Sequence, residues 1–203
     1  MSPFLYVFLA MACFAIFHAS TASDKFKVAV QKKTGISTVS YTGFRALISL
    51  VLLTVSLALL FHDTETTRRL FTPHLGVPAI LPAFFAFWIA GIALRQVSEA
   101  HRLPQFFGFQ EYPRLFIYSG AYSLCRHPMY TGWLVACWGI LVSKPYVLTV
   151  FYNLLMSAYI VFMALSEERR MVALFGERYR DYQKQTPFLL PYGFLKSQNR
   201  KQE

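Results

Sequence analysis

Two short clusters carry the residues whose types and spacing could do chemistry. Arg126-His127-Pro128-Met129-Tyr130 opens one apolar run, and Glu167-Glu168 closes the next. Proline suits the first helical position, where its missing N–H has no intrahelical acceptor in any case. A helix starting there offers unpaired amides and a partial positive charge to an anion, and Arg126 and His127 reinforce that charge. The two carboxylates offer the complement, acceptors for a cation or for hydroxyls. Leu165, Glu168, Val172, Phe175, Tyr179 and Tyr182 recur at spacings of three and four, the mark of one helical face. Glu168 therefore lies on an apolar face and Glu167 lies off it. A carboxylate aimed at such a face needs a partner, because burying it alone is costly. The same residues also admit a reading without chemistry. Arg126 then snorkels, His127 caps the helix, Tyr130 joins an aromatic belt, and the glutamates are solvated beside Arg169-Arg170.

The elements that position these clusters are apolar helices. The chain is 203 residues long, 55% hydrophobic and 15% charged, and it carries 20 Phe, 12 Tyr and 3 Trp. Soluble domains are about 25% charged. Lipid is the solvent for so much apolar surface, which argues against a disordered chain, a disulfide scaffold or an ordinary cytosolic enzyme. A membrane span needs about 20 mostly apolar residues. Residues 3–19, 41–61, 77–94, 129–142 and 145–165 meet or approach this, so the fold class is an all-α integral membrane protein of about five transmembrane helices. No Lys or Arg precedes Lys25, so the first run reads as a retained span rather than a signal peptide. Arg45 sits near the start of the second span, where it can snorkel to the interface. The 62–76 stretch reads as a connector.

One membrane domain covers 1–203, with three N-terminal spans in 1–94. Residues 95–203 hold a cofactor-binding loop, a helical hairpin and a C-terminal tail. The aromatic-rich 95–128 loop suits the headgroup region, with Arg95 and Arg114 as interfacial anchors. Formal net charge is +10, yet Lys and Arg lie between apolar runs rather than in a dense stripe, so nucleic acid is not the expected partner. Cys13, Cys125 and Cys137 form no CxxC pair, and no cluster suggests a metal. Basic residues collect in the 20–44 loop, the 95–128 loop and the tail, whereas Arg68, Arg69 and Lys144 stand alone on the other side. Positive-inside bias then puts the N-terminus outside and the C-terminus and site in the cytoplasm. The hairpin turn at Ser143-Lys144-Pro145 brings the two clusters together. A ligand carrying a carboxylate and an ammonium or ribose hydroxyls would fit between them, and S-adenosylmethionine is such a ligand.

The stretch from Gly120 to Pro191 resembles the isoprenylcysteine carboxyl methyltransferase-like membrane family. This broad group includes phospholipid N-methyltransferases, methanethiol S-methyltransferases and NnrU-type proteins. The matching residues are Gly120-Ala-Tyr122, Arg126-His127-Pro128-Met129-Tyr130-Thr-Gly132, Glu167-Glu168, Phe175-Gly176-Glu-Arg-Tyr179, Tyr182, Pro187 and Pro191. Toward the N-terminus, His18, Gly35 and Tyr41-Thr-Gly-Phe-Arg45 are similar to the NnrU-type branch.

The resemblance implies a membrane methyltransferase that binds S-adenosylmethionine on the cytoplasmic side. Tyr122, Arg126, His127, Tyr130, Glu167 and Glu168 are the cofactor-binding candidates it implies, and it names no catalytic base. The implied acceptor is small or lipophilic, a thiol or an isoprenylcysteine-type carboxylate. Two alternatives stay open: an NADPH-dependent reductase of sterol-reductase type, and a non-catalytic NnrU-like membrane protein.

Overall fold

A computed structural model describes residues 2–71, 91, 116 and 118–190. Helix α1 (Pro3–Ala22) has proline in its first turn, and its backbone turns extended at Ser23. There α2 (Asp24–Thr34) begins, a short helix within the 20–44 stretch expected to be a loop. Its ends explain it. Asp24 sits in the first turn and Lys32 and Lys33 in the last, each complementing the helix dipole, and Gly35 closes it in the left-handed conformation at φ 68°. Helix α3 (Thr38–Asp63) is capped by Ser37, whose hydroxyl accepts from the Ser40 amide at 3.1 Å. A 3-10 turn, Thr64–Thr66, follows. The predicted 77–94 span falls outside the described residues except for Gly91, as do Arg95, Arg114 and Pro191.

After a helical turn at Ala121–Leu124 come α4 (Pro128–Ser143) and α5 (Val147–Phe175), joined by three residues. This is the predicted hairpin, and the Trp138 indole donating to the Ser157 hydroxyl at 3.1 Å holds it antiparallel. Helix α6 (Glu177–Gln185) completes the described chain. The break between α5 and α6 falls on Gly176, at φ 56° and ψ −132°, a region essentially confined to glycine.

Among the described residues three helices are long and apolar enough to cross a membrane: Pro3–Ala22, Thr38–Thr66 and Val147–Phe175. Pro128–Ser143 is apolar but shorter. At 1.5 Å per residue α5 is about 44 Å long and α4 about 24 Å, against a hydrocarbon core of about 30 Å. The hairpin helices therefore cannot both end at the same depth. The C-terminal turns of α5, beyond Leu165, carry the charged run Glu167-Glu168-Arg169-Arg170 past the start of α4.

The shared core collects Val7, Met11 and Phe14 of α1, Leu60 of α3, Cys137 of α4, and Leu148, Tyr152, Met156 and Ile160 of α5. Their spacing of three and four residues is what directs each set to one helical face. On the other side of α3, Phe44, Leu47, Leu50, Val51, Val55 and Phe61 point outward, as lipid-facing residues do. At the far end from the site, residues 65–70 clasp the hairpin turn. The Lys144 ammonium meets Glu65 at 2.7 Å, the Leu70 amide donates to the Pro145 carbonyl at 2.6 Å, and Arg69 donates to the Tyr146 hydroxyl at 2.8 Å. The predicted connector is thus a structural tie.

Candidate functional site

The site lies where the start of α4 meets the end of α5. Arg126, in the link before α4, is held at its backbone by donating its amide to the Pro187 carbonyl at 2.8 Å. Its guanidinium donates from Nε to Glu168 Oε1 at 2.5 Å and from Nη1 to the carbonyls of Gln183 at 2.8 Å and Thr186 at 2.6 Å. Nη2 lies 3.4 Å from Glu168 Oε2. Gln183 Nε2 adds a bond to Glu168 Oε2 at 2.9 Å. One ion pair thereby ties together the α4 link, α5 and the end of α6 with the residue that follows it.

His127 is the N-cap of α4 but does not cap it with its side chain. The ring bridges the glutamates instead, with Nε2 at 3.3 Å from Glu168 Oε1 and Nδ1 at 3.8 Å from Glu167 Oε2. With Pro128 at N1, the amides of Met129 and Tyr130 have no intrahelical acceptor. Glu168 is only 8% exposed, as its position on the apolar stripe requires, whereas the Glu167 side chain is 38% exposed. The Tyr130 hydroxyl interacts with the Glu167 carboxylate. Tyr182 donates to the Tyr122 carbonyl at 2.6 Å.

A cavity of about 510 Å³ opens beside this frame, within the roughly 300–1,000 Å³ of small-molecule sites. Tyr122, Arg126, His127, Tyr130 and Glu167 line it, together with the start of α4 at Pro128 and Met129. Glu168 is absent from that lining and faces Arg126. All six predicted residues are therefore brought together, but in two layers. Five border the cavity, and Glu168 stands behind them, positioning Arg126 and His127.

Burial and the charge of Glu167 push the Tyr122 hydroxyl up to about 12, so it remains a neutral donor. Burial likewise raises Tyr179, with Glu168 adding to it, and Tyr182, with Tyr179 adding to it. Cys125 is raised by burial too, opposed by its hydrogen bonds with Thr131 and the His127 backbone. Such a thiol is a poor nucleophile.

Several lining residues lie outside the predicted cofactor-binding set: His18, Arg45, Trp133, Met163, Arg170 and Phe116. Tyr179 and Tyr182 had a signal, their place on the stripe with Glu168. Arg45 had the opposite signal, since a lone cation at a span's start reads as an interfacial anchor. Among the described residues no group of His, Cys, Asp and Glu is arranged to hold a metal.

The phospholipid methyltransferase family model matches residues 76–178. A methanethiol S-methyltransferase of Pseudomonas deceptionensis is 40% identical over 70 residues, 34% of this chain and 26% of that protein. Another, of Crocosphaera subtropica, is 32% identical over 91 residues, 43% of this chain and 34% of that protein. The mouse protein-S-isoprenylcysteine O-methyltransferase is 36% identical over 76 residues, 36% of this chain and 26% of that protein. The chain thus matches only a quarter to a third of the length of these curated relatives. No solved structure matches the chain.

Proposed function

Because the chain belongs to the phospholipid methyltransferase family, we propose that it is a membrane methyltransferase that uses S-adenosylmethionine. The proposed acceptor is a small or lipophilic thiol, or a carboxylate of the isoprenylcysteine type, on the likeness to relatives bearing those names. The observation that carries the reading is the cavity on which Tyr122, the α4 start with His127 and Tyr130, and Glu167 of α5 converge.

The donor set suits this cofactor. The first-turn amides of α4, with His127 beside them, offer donors to a carboxylate. Glu167 offers an acceptor to an ammonium or to ribose hydroxyls, and the tyrosine faces suit a cationic sulfonium. Arg126 and Glu168 act as positioning residues: their pairing leaves little of either charge for a ligand. When bound, S-adenosylmethionine supplies an electrophilic methyl group whose carbon–sulfur bond breaks as the nucleophile's bond forms. The protein's own part is to align the nucleophile and to exclude water.

The same proposal treats residues 1–203 as a single membrane domain. It sets the cavity at the cytoplasmic face with the N-terminus outside, supported by the excess of Lys and Arg on that face. Thermal unfolding of the purified chain in detergent tests the cofactor. A ligand at 100 times its Kd stabilises by about 2.7 kcal/mol. Stabilisation by S-adenosylhomocysteine is the expected result. Stabilisation by NADPH alone would replace the reading with a reductase, and none by either would favour a non-catalytic role.

A further inference from the structure

The cavity extends past the residues assigned to the cofactor. Its lining also takes in His18 of α1, Arg45 of α3 and Trp133 of α4. His18 Nδ1 is hydrogen-bonded to the Tyr159 hydroxyl of α5, and the ring stacks on Phe14 with centroids 5.6 Å apart. Arg45 lies within electrostatic range of both His18 and Tyr159. Among the described residues it has neither a carboxylate partner nor a hydrogen bond.

That isolation sets Arg45 apart from Arg126, whose guanidinium is filled by Glu168 and two carbonyls. A guanidinium two turns into an apolar helix, lining a cavity and without an ionic partner among the described residues, is suited to an anion. With Arg126 and Glu168 neutralising each other, the cavity wall retains Arg45 and Arg170 against Glu167. The surplus is positive.

We propose that Arg45 binds the anionic nucleophile of the acceptor, a thiolate or a carboxylate, with the His18–Tyr159 pair as the positioning wall beside it. The proposal rests on the methyl-transfer reading. It also fits the charge balance of the step. The nucleophile's electron pair forms the bond to the methyl carbon, the carbon–sulfur pair returns to the sulfonium, and an anion and a cation become two neutral products. Arg45 then loses its partner when the reaction is done, which favours release of the thioether or ester. For a thiol, the neighbouring cation also raises the thiolate fraction before transfer.

The test uses the full chain in detergent, with Arg45→Gln and Arg45→Lys. Three quantities are measured: affinity for S-adenosylhomocysteine, affinity for decanoate against decanamide, and methyl transfer to methanethiol and to an isoprenylcysteine. Cofactor-product affinity should stay within about twofold of wild type, which also shows that the variants fold. Wild type should prefer decanoate by about tenfold, as a charge-assisted hydrogen bond implies. Arg45→Gln should lose that preference and Arg45→Lys keep part of it. KM for whichever acceptor is methylated should rise about tenfold in Arg45→Gln, and the two acceptor arms separate thiolate from carboxylate recognition. Absence of a decanoate preference in wild type, or its survival in Arg45→Gln, would overturn the proposal. If wild type methylates neither acceptor while Arg45→Gln still abolishes the preference, the anion site stands and the methyl-transfer reading falls.

Discussion

Arg126 and Glu168, 42 positions apart, meet side chain to side chain at 2.5 Å, each about nine-tenths buried. The pair joins the link before α4 to the last turns of α5. Gln183, in the last turn of α6, and Thr186, just after it, close around the pair. Positive charge that the sequence offers to a ligand is therefore largely answered within the protein. Glu167, one residue away, is left on the cavity.

This division predicts opposite phenotypes for neighbouring glutamates. Glu168→Gln should lower stability by about 3 kcal/mol, because breaking a buried pair strands its partner. Glu167→Gln should leave the melting temperature unchanged but weaken S-adenosylhomocysteine binding at least tenfold, the loss of one charge-assisted hydrogen bond. Thermal unfolding and ligand titration on both variants decide it. Equal loss of stability at the two positions would dissolve the distinction.

Cys125 provides a reporter of the same frame. It is 3% exposed, and burial raises its thiol pKa, so its thiolate fraction is small at neutral pH and rises only above the usual thiol range. In a background lacking Cys13 and Cys137, maleimide labelling at pH 7.5 should be slow in the folded wild type. It should accelerate several-fold in Glu168→Gln, as the Arg126 link beside Cys125 loosens. Rapid labelling of the intact protein would contradict the packing.

Two glycines should respond with opposite signs. Nothing lies within 4 Å of a Cβ built at Gly176, so Gly176→Ala meets no clash, only the backbone strain of φ 56°. That strain costs about 1–3 kcal/mol. Gly43 is equally open but lies within α3, where alanine is favoured by about 1 kcal/mol. Melting temperatures should fall for the first and hold or rise for the second. A neutral Gly176→Ala would mean that the α5–α6 break tolerates another conformation.

Orientation is open to cysteine labelling in intact membranes. Thr66→Cys, at the clasped end, should label from outside, whereas Lys33→Cys and Lys184→Cys should label only after permeabilisation. Neighbouring Thr64 is fully buried and would be a misleading choice. Outside labelling of Lys33→Cys would reverse the proposed topology and put the cavity in the other compartment.

Much of this molecule is legible in its residue order. Apolar runs locate the helices, because a chain in lipid must satisfy its backbone within each span. Pro128 marks where α4 begins, and the spacing from Leu165 to Tyr182 places Glu168 inside and Glu167 outside. Helix α2 is also legible, since Asp24, Lys32, Lys33 and Gly35 are the start and stop signals of a short helix, although it is too short and polar to show as an apolar run.

Periodicity, however, specifies only a direction around one helix axis. It states that Glu168 needs a partner and leaves that partner unnamed. That Arg126 fills the need, that Glu167 rather than Glu168 borders the cavity, and that Arg45 lines the same cavity were decided by how α1, α3, α4 and α5 pack. Those outcomes depend on the relative depth and rotation of helices distant in sequence. His18 and Tyr159, 141 positions apart, become a hydrogen-bonded pair only after such packing. Local residue spacing carries no term for that arrangement, because it is set by the shared core and not by any one helix.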